Sequence, residues 1–403
     1  MRVAWFLVTT VAIFAGDWPQ WRGPNRDGIA PGAPPSNLPE KLTRKWQIAI
    51  GEGHSSPISA AGRIFAISRE GSNEVVRAVD PASGKVLWQQ SYAAPYSVNP
   101  AATSHGPGTK STPVYSSGKL CTFGISGVLS CFDAASGRVL WRHDFKDQYK
   151  NTSPDFGTAM SPVIDGGLLM AHTGGDGNGA LTAFDLNTGA AKWKWTGDGP
   201  AYSSPIIVEI GAVRQVVTQS QRNIISVAEA SGELLWKIPY RTNFEQNSVT
   251  PVFYNGMLIL SGLDNGVMGL RVIKDAKGFR TERVWDNPQA TMYMSTGVIS
   301  GDLLYGFGNR NKGQFVCLDA RTGQTLWSSP PRQGENAAIV RQGDTLFLLK
   351  NDAELVVARA NAKSFEPQRT YTVADSPTWA HPVILDNGII IKDKNSLALW
   401  TWR

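Results

Sequence analysis

Eight places along the chain carry polar or aromatic side chains directly before a step of small residues, usually with proline, that opens an apolar run. These candidate ligand-binding residues are His54, Lys110, Met160, Tyr202, Gln246 with Asn247, Tyr293, Glu335 with Asn336, and Trp379 with His381. If the apolar runs surround a channel, these side chains ring its mouth and could bind a small planar or sugar-like ligand. The alternative is that they hydrogen-bond loop backbone and ordered water without a ligand.

Two histidines and a carboxylate in this set suggest a metal site. His54 and His381 fall in the first and last repeated units, which become neighbours in a closed ring, and Glu335 lies one unit further. Histidine and carboxylate groups are zinc ligands, but their spacing matches no metal motif, so two hydrogen-bonded histidines are favoured. The chain has no GxSxG, HExxH or P-loop motif. We therefore assign no catalytic residue and no metal ligand.

A glycine-rich run at Gly174–Gly179 is a candidate calcium site, because Asp176 and Asn178 offer oxygen ligands. The run lacks the later ligands of an EF-hand loop. A hairpin tip without a metal is the favoured interpretation.

A hairpin pattern, A-x-D-x-x-[ST]-G-x-x-x-W, positions all these residues. Its good copies are Ala78–Trp88, Cys131–Trp141, Ala183–Trp193 and Cys317–Trp327, and a variant at Val227–Trp236 is interpreted as one residue shorter, with Glu229 at the Asp position. The Asp carboxylate folds back onto backbone N–H groups to start a turn, and the Gly supplies the positive φ that ends it. Repetition at this period is typical of propellers, solenoids and arrays.

Each hairpin completes a four-stranded unit whose strands we term A to D. Counting A strands gives eight units, and the last unit ends at Arg403 without a D strand. The isolated strand Leu42–Ile50 supplies one, and closure by both chain ends leaves no open sheet edge at the seam. The pattern predicts an all-β fold, an eight-bladed β-propeller of four-stranded antiparallel blades. Seven blades are the alternative if the weak sixth or seventh unit is misread.

Tryptophan recurs on the D strands and is expected to dock between neighbouring blades. The docking residues are Trp46, Trp88, Trp141, Trp193, Trp236, Trp285 and Trp327, with Tyr371 at the remaining blade boundary.

Three segments follow from composition and patterning. Residues 1–16 resemble a signal peptide, with Arg2 before the apolar run Ala4–Phe14. Residues 17–41 form an irregular arm rich in Pro and Gly, and residues 42–403 form the propeller. The net charge is +6, and the Lys and Arg residues are scattered along the chain, so no nucleic-acid partner is expected. We expect a periplasmic or secreted protein with no transmembrane segment after signal removal.

The cysteines leave one pairing question open. Cys121 and Cys131 lie on adjacent strands, so a cross-strand disulfide is possible, and two separate buried thiols are the favoured alternative. The third cysteine, Cys317, has no candidate partner.

Extra chain is concentrated on one face of the predicted ring. Ser91–Lys110 and His143–Thr158 are long D–A connections, and His172–Gly179 is a B–C connection. In a blade of alternating strands, D–A and B–C connections emerge on the same face, whereas the long turn at Lys274–Phe279 lies on the other. Because binding residues concentrate on loops, the D–A and B–C face is the predicted binding face.

The hairpin pattern resembles the tryptophan-docking repeat of pyrroloquinoline quinone (PQQ) propellers, over Leu42 to Arg403. That superfamily contains quinoprotein alcohol dehydrogenases and the non-catalytic scaffold BamB of the outer-membrane barrel assembly machinery. The chain departs from the dehydrogenases: it has no adjacent cysteines, no CxxCH haem motif, and no matched calcium ligand set. It differs from BamB, a lipoprotein, because no lipobox cysteine follows the signal peptide.

Two functions are compatible with this resemblance. The first is an exported, non-catalytic scaffold that binds a protein or other ligand, with envelope or outer-membrane proteins as partners. The second is a PQQ-dependent oxidoreductase, which needs a stacking aromatic, a basic residue and a metal carboxylate in the channel. Trp379 and Lys110 offer the first two, and the third has no candidate. No cofactor is assigned; PQQ and Ca²⁺ belong to the second function only.

Overall fold

The computed structural model describes residues 17–403, so the predicted signal peptide lies outside the described residues. Within these residues, thirty-two strands form eight four-stranded sheets, which confirms the eight-bladed all-β prediction over the seven-bladed alternative. All neighbouring strands within the sheets are antiparallel, as in β10–β11 and β15–β16 (bounds below). Within residues 17–403, no helix combines the length and apolar character needed to cross a bilayer.

The strands of the first four blades follow the predicted units. Strand β1 is Thr43–Ala49; blade 1 holds β2 (Ile58–Ala60), β3 (Arg63–Glu70), β4 (Asn73–Val79) and β5 (Val86–Ala93); blade 2 holds β6 (Val114–Ser116), β7 (Lys119–Phe123), β8 (Leu129–Asp133) and β9 (Val139–His143); blade 3 holds β10 (Val163–Asp165), β11 (Leu168–Gly175), β12 (Asn178–Asp185) and β13 (Ala191–Trp195); blade 4 holds β14 (Ile206–Ile210), β15 (Val213–Gln219), β16 (Asn223–Ala228) and β17 (Leu234–Pro239).

The remaining blades repeat this arrangement. Blade 5 holds β18 (Val252–Tyr254), β19 (Met257–Ser261), β20 (Val267–Asp275) and β21 (Gly278–Asn287); blade 6 holds β22 (Val298–Ser300), β23 (Leu303–Gly308), β24 (Gln314–Asp319) and β25 (Thr325–Ser328); blade 7 holds β26 (Ala337–Gln342), β27 (Thr345–Lys350), β28 (Glu354–Arg359) and β29 (Glu366–Thr372); blade 8 holds β30 (Val383–Leu385), β31 (Gly388–Lys392), β32 (Ser396–Thr401) and β1. Short 3-10 helices at Pro100–His105, Asn243–Glu245 and Arg310–Lys312 lie in loops.

The two ends of the chain close the ring. Strand β1 pairs with β32 in antiparallel register, with Thr43 opposite Thr401 and Ile48 opposite Leu397. The N-terminal strand therefore supplies the missing D strand of blade 8, as the repeat count predicts. This pairing covers the outer edge of β32, so blade 8 has four strands like the other blades.

Blades pack face to face, which explains the burial along each strand. The B strand β19 and most of β27 are buried on both faces, because each sheet is covered by a neighbour on either side. The outer D strand β5 alternates between exposed and partly buried residues. The apolar core therefore lies between blades, and one cluster joins Phe65 of blade 1 to Phe132 of blade 2.

The repeated hairpin corner receives an indole from the preceding blade. Asp185 accepts hydrogen bonds from the backbone N–H groups of Asn187 and Thr188, both 3.0 Å long, and Gly189 has φ 73°. The indole Nε1 of Trp141 donates to the carbonyl of Leu186 at 3.0 Å. A Cβ on Gly189 would lie 2.8 Å from Cδ2 of Trp141, so only glycine lets the ring approach this closely.

Most of the predicted docking residues repeat this contact. The indoles of Trp46, Trp88, Trp193, Trp285 and Trp327 donate to the carbonyls of Pro81, Ala134, Glu229, Ala320 and Asn361 in the next blade. Trp236 is different, because its Nε1 donates to Oε1 of Gln215 in its own blade at 3.0 Å. At the remaining boundary, the hydroxyl of Tyr371 donates to the carbonyl of Pro39 at 2.7 Å.

The hairpin of blade 4 corrects one sequence interpretation. The N–H of Gly232 donates to the carbonyl of Ala228 at 2.8 Å, the same bond that Gly189 makes with Asp185. Ala228 therefore occupies the Asp position, and this repeat has full length. Glu229 sits one position later, where its carbonyl accepts the indole of Trp193.

The cysteines are buried free thiols. Cys121 and Cys131 are directly opposite each other on β7 and β8, and burial is the main cause that raises the pKa of the Cys121 thiol well above its usual value.

Candidate functional site

A pocket of ≈ 230 Å³ lies at the channel mouth, on the face formed by the D–A and B–C connections, here called the mouth face. It brings together most of the predicted ligand-binding residues, because each directly precedes the innermost strand of a different blade. Those that line it are His54, Lys110, Tyr202, Gln246, Tyr293, Asn336 and Trp379. Six different D–A connections and the start of blade 1 therefore contribute these residues to one cavity.

The other candidates do not line this pocket. Met160 is buried in the apolar cluster between blades 2 and 3, and Asn247 is fully buried, donating to the carbonyls of Ser220 and Tyr240. Glu335 is exposed. His381 is buried beneath the pocket, with its ring centroid 4.4 Å from that of Trp21. No group of three potential metal ligands is found in residues 17–403, so His54, His381 and Glu335 do not converge.

The floor of the pocket comes from the N-terminal arm. Trp21 lines the pocket and its Nε1 donates to Oγ1 of Thr250 at 3.0 Å. Sequence analysis did not identify this residue as part of the site, because it assigned residues 17–41 only to an irregular arm. The arm therefore enters the channel instead of lying on the outside of the ring.

Two buried arginines anchor the arm to opposite sides of the ring. Arg22 donates to the carbonyls of Thr296 and Gly297, at 2.9 and 2.6 Å. Arg26 donates to those of Pro162 and Ser161, at 3.0 and 2.9 Å. Burial lowers the pKa of Arg22 to about 10 and that of Arg26 to about 9.

Backbone bonds extend these anchors to further blades. Trp18 exchanges two hydrogen bonds with Ser59 of blade 1, and the carbonyl of Pro19 accepts from Tyr115 of blade 2. In blade 7, Ala30 donates to Arg341 at 2.7 Å, and Arg341 donates to Gly28 at 2.9 Å. The arm thus bonds to blades 1, 2, 3, 5, 6 and 7 before β1 joins blade 8.

One wall of the pocket is formed by three packed rings. The centroids of His105 and Trp379 are 4.7 Å apart, and that of His54 lies 5.8 and 6.2 Å from them. Nε2 of His54 lies 3.0 Å from the carbonyl of His105, and because a carbonyl only accepts, the ring proton sits on Nε2. Burial, and next the charge of Lys392, lower the pKa of His54 to about 3, so the imidazole is neutral.

The facing wall combines a cation with aromatic groups. Nζ of Lys110 donates to the carbonyl of Phe156 at 2.6 Å, and the N–H of Phe156 donates to the hydroxyl of Tyr202 at 3.2 Å. Burial lowers the pKa of Lys110 to about 8. The hydroxyl of Tyr293 bonds to Oε1 of Gln246 on the rim.

The glycine-rich run is a hairpin tip held by hydrogen bonds. Asp176 accepts from the N–H of Asp155 at 2.8 Å and from Nε2 of Gln221 at 2.7 Å, and Asn178 pairs with Gly175 across the hairpin. Burial, together with the nearby carboxyl group of Asp155, raises the pKa of Asp176 to about 7. The favoured interpretation, a hairpin tip, agrees with this pairing.

Among the described residues, the most exposed large apolar side chain on the mouth face is Phe244, which is 79% exposed. Phe244 and Glu245 both adopt left-handed φ, 59° and 53°, a conformation that costs L-residues energy and is retained where the surroundings impose it. An ion pair of 3.3 Å between Arg222 and Glu245 ties this loop to the neighbouring turn. The loop therefore holds an aromatic group in solvent.

Comparisons with known proteins agree with this architecture. A protein from Yersinia pestis named outer membrane protein assembly factor BamB is 22% identical over 88% of this chain and 87% of its own length. A protein of the same name from Shewanella oneidensis is 28% identical over 60% of this chain and 62% of its own length.

Solved structures share the fold at lower identity. BamB from Moraxella catarrhalis superposes with a TM-score of 0.64 at 16% identity, over 89% of this chain and 99% of that one. A quinohemoprotein alcohol dehydrogenase from Pseudomonas putida HK5 superposes with a TM-score of 0.70 at 13% identity, over 96% and 80%. At these identities the likeness establishes the fold alone.

The model of one family matches residues 72–329, from the C strand of blade 1 to the end of blade 6. This match covers more than half of the chain and includes most of the repeated hairpins. The chain therefore belongs to the family of the outer membrane protein assembly factor BamB.

Proposed function

We propose that this protein is an exported, non-catalytic scaffold that binds a partner of the outer-membrane protein assembly machinery through its mouth face. The observation that carries the proposal is the family match over residues 72–329, joined to a relative of that name matched over most of both chains. The proposed location is the cell envelope, reached by way of the predicted signal peptide at residues 1–16.

The surface of the mouth face supports a protein-binding role. Phe244 is exposed on a loop that an ion pair between Arg222 and Glu245 links to the neighbouring turn, so its ring is available to a partner. Aromatic side chains are among the residues that dominate binding energy at interfaces. Met294, 38% exposed on the next D–A connection, is a second exposed apolar side chain on this face.

The residues of the mouth pocket do not fit a calcium-dependent quinone site. Trp379 and Lys110 supply an aromatic ring and a cation, but among residues 17–403 no Asp or Glu side chain lines the pocket. Calcium binds oxygen ligands, with carboxylates prominent among them. The oxidoreductase alternative therefore lacks its metal ligand at this position, and mixing the protein with PQQ and Ca²⁺ tests it: stoichiometric uptake of the quinone, seen by absorbance, would favour the enzyme.

The scaffold proposal predicts that binding depends on Phe244. Purified protein is titrated against the outer-membrane protein assembly complex prepared without BamB, and affinity is measured by surface plasmon resonance. We expect Phe244→Ser to bind at least about tenfold more weakly, because a buried aromatic anchor contributes roughly 2 kcal/mol or more.

Phe253→Ser is the matched control. This phenylalanine is 39% exposed but lies on β18 beside the A–B turn, on the opposite face, so its loss should leave the affinity unchanged. Equal losses for the two variants, or absence of binding by the unmodified protein, would contradict the proposal.

A further inference from the structure

Within residues 17–403, Lys110 is the only ionised side chain that lines the mouth pocket, and no carboxylate lies beside it there. Its ammonium donates one hydrogen bond, to the carbonyl of Phe156. An ammonium has three donors, so two remain without a protein partner in this part of the chain.

The surroundings of Lys110 leave its charge uncompensated. A carboxylate neighbour would raise the pKa of a lysine, whereas burial alone lowers that of Lys110 to about 8. Holding an ammonium away from water without a counter-charge costs free energy, and an anion that enters the pocket offsets this cost.

A second buried polar group also faces the cavity. Asn336 lines the pocket and is 6% exposed, and its side-chain amide has no hydrogen-bond partner within the described residues. This amide can be reached from the cavity, so Asn336 offers donors and an acceptor to whatever occupies the pocket.

We propose that the mouth pocket binds one carboxylate attached to a single aromatic ring, with Lys110 holding the carboxylate and Asn336 an adjacent polar group. The carboxylate belongs either to a small organic acid or to the last residue of a polypeptide. Because Lys110 is the one cation that lines the pocket among the described residues, the pocket favours a ligand with one carboxylate. The rings of Trp21, Trp379 and Tyr202 surround the aromatic group.

The size of the cavity favours a ligand with one ring. Its volume of ≈ 230 Å³ is below the roughly 300–1,000 Å³ of pockets for drug-sized molecules. The proposal is independent of the scaffold function, since it concerns the mouth pocket alone and its test uses no partner protein.

Calorimetry with matched ligands tests the site. Phenylacetate is compared with neutral phenylacetamide, and an acetylated Ala-Ala-Phe peptide with a free carboxyl group is compared with its amidated form. We expect the acids to bind at least about tenfold more tightly than the amides, because a hydrogen bond to a charged group contributes about 1.5–3 kcal/mol. Whether phenylacetate or the peptide binds more tightly identifies the source of the carboxylate.

Lys110→Met should abolish the preference for acids while it keeps the length of the side chain. Lys312→Met, at an exposed lysine on the same face outside the pocket, should leave the preference unchanged. In the unmodified protein, affinity should fall as the pH rises above about 8, where Lys110 loses its proton. Equal binding of acids and amides, an unchanged preference in Lys110→Met, or no heat from any probe overturns the proposal.

Discussion

At the scale of single residues, the ring depends on the contact between an indole and a glycine corner. Gly189 and Gly62 have almost the same backbone conformation, φ 73° and 70°, but only Gly189 of these two has an indole where a Cβ would sit. We predict that Gly189→Ala lowers the free energy of unfolding by about 1–3 kcal/mol more than Gly62→Ala, because overpacking against Trp141 adds to the backbone strain. Urea denaturation followed by fluorescence measures both.

Gly62→Ala is the control because, apart from Gly62 and its two chain neighbours, no described residue has an atom within 4 Å of the position that its Cβ would occupy. The change therefore reports backbone strain alone. Equal destabilisation of the two variants would mean that the indole moves aside without cost.

At the scale of elements, the N-terminal arm fastens the inner strands of separate blades to one another. Arg22 is 1% exposed and bonds to two carbonyls of blade 6. We predict that Arg22→Ala lowers the free energy of unfolding by at least about 2 kcal/mol, because both carbonyls then stay buried without a donor. Thermal unfolding monitored by circular dichroism measures the change.

The exposed neighbour Asn25 provides the comparison. Asn25→Ala should change stability by no more than about 0.5 kcal/mol. An Arg22 variant as stable as the unmodified protein would show that the arm does not hold the blades.

At the scale of the whole molecule, the seam between β1 and β32 closes the ring. The N–H of Ile50 donates to the carbonyl of Asn395, and alternation along an antiparallel pair places the N–H of Ile48 toward β32 and that of Gln47 away from it. We predict that Ile48→Pro destabilises the entire fold by about 3 kcal/mol or more, since proline removes a ladder bond at the seam. Denaturant unfolding of the full chain gives the value.

Two variants separate this effect from side-chain loss. Gln47→Pro removes an N–H that faces solvent at the outer edge and should cost less, and Ile48→Ala reports the missing side chain alone. If Ile48→Pro is no worse than Ile48→Ala, closure by hydrogen bonding contributes nothing to stability.

The sequence by itself determined the fold, because each of its signals is local. An Asp, a Gly and a Trp at fixed spacing specify a corner and a docking ring, and their repetition specifies the number of blades. The same logic located His54, Lys110, Tyr202 and Trp379 at one mouth, since each directly precedes the innermost strand of its blade. Alignment by residue type has a limit, because it assigned Glu229 to the Asp position of blade 4. Ala228 occupies that position, since its carbonyl accepts the backbone hydrogen bond that defines the corner.

Only the tertiary structure decided which residues fill the channel and which charge lines its mouth. Trp21 and Arg22 lie hundreds of positions from the groups they bond, Thr250 and Thr296, and no local pattern encodes such a pairing. The structure also revealed that Lys110 has no carboxylate beside it in the pocket among the described residues, which depends on side chains from connections all around the ring. Local spacing specifies corners and counts blades, whereas the contents of the channel depend on where distant segments meet.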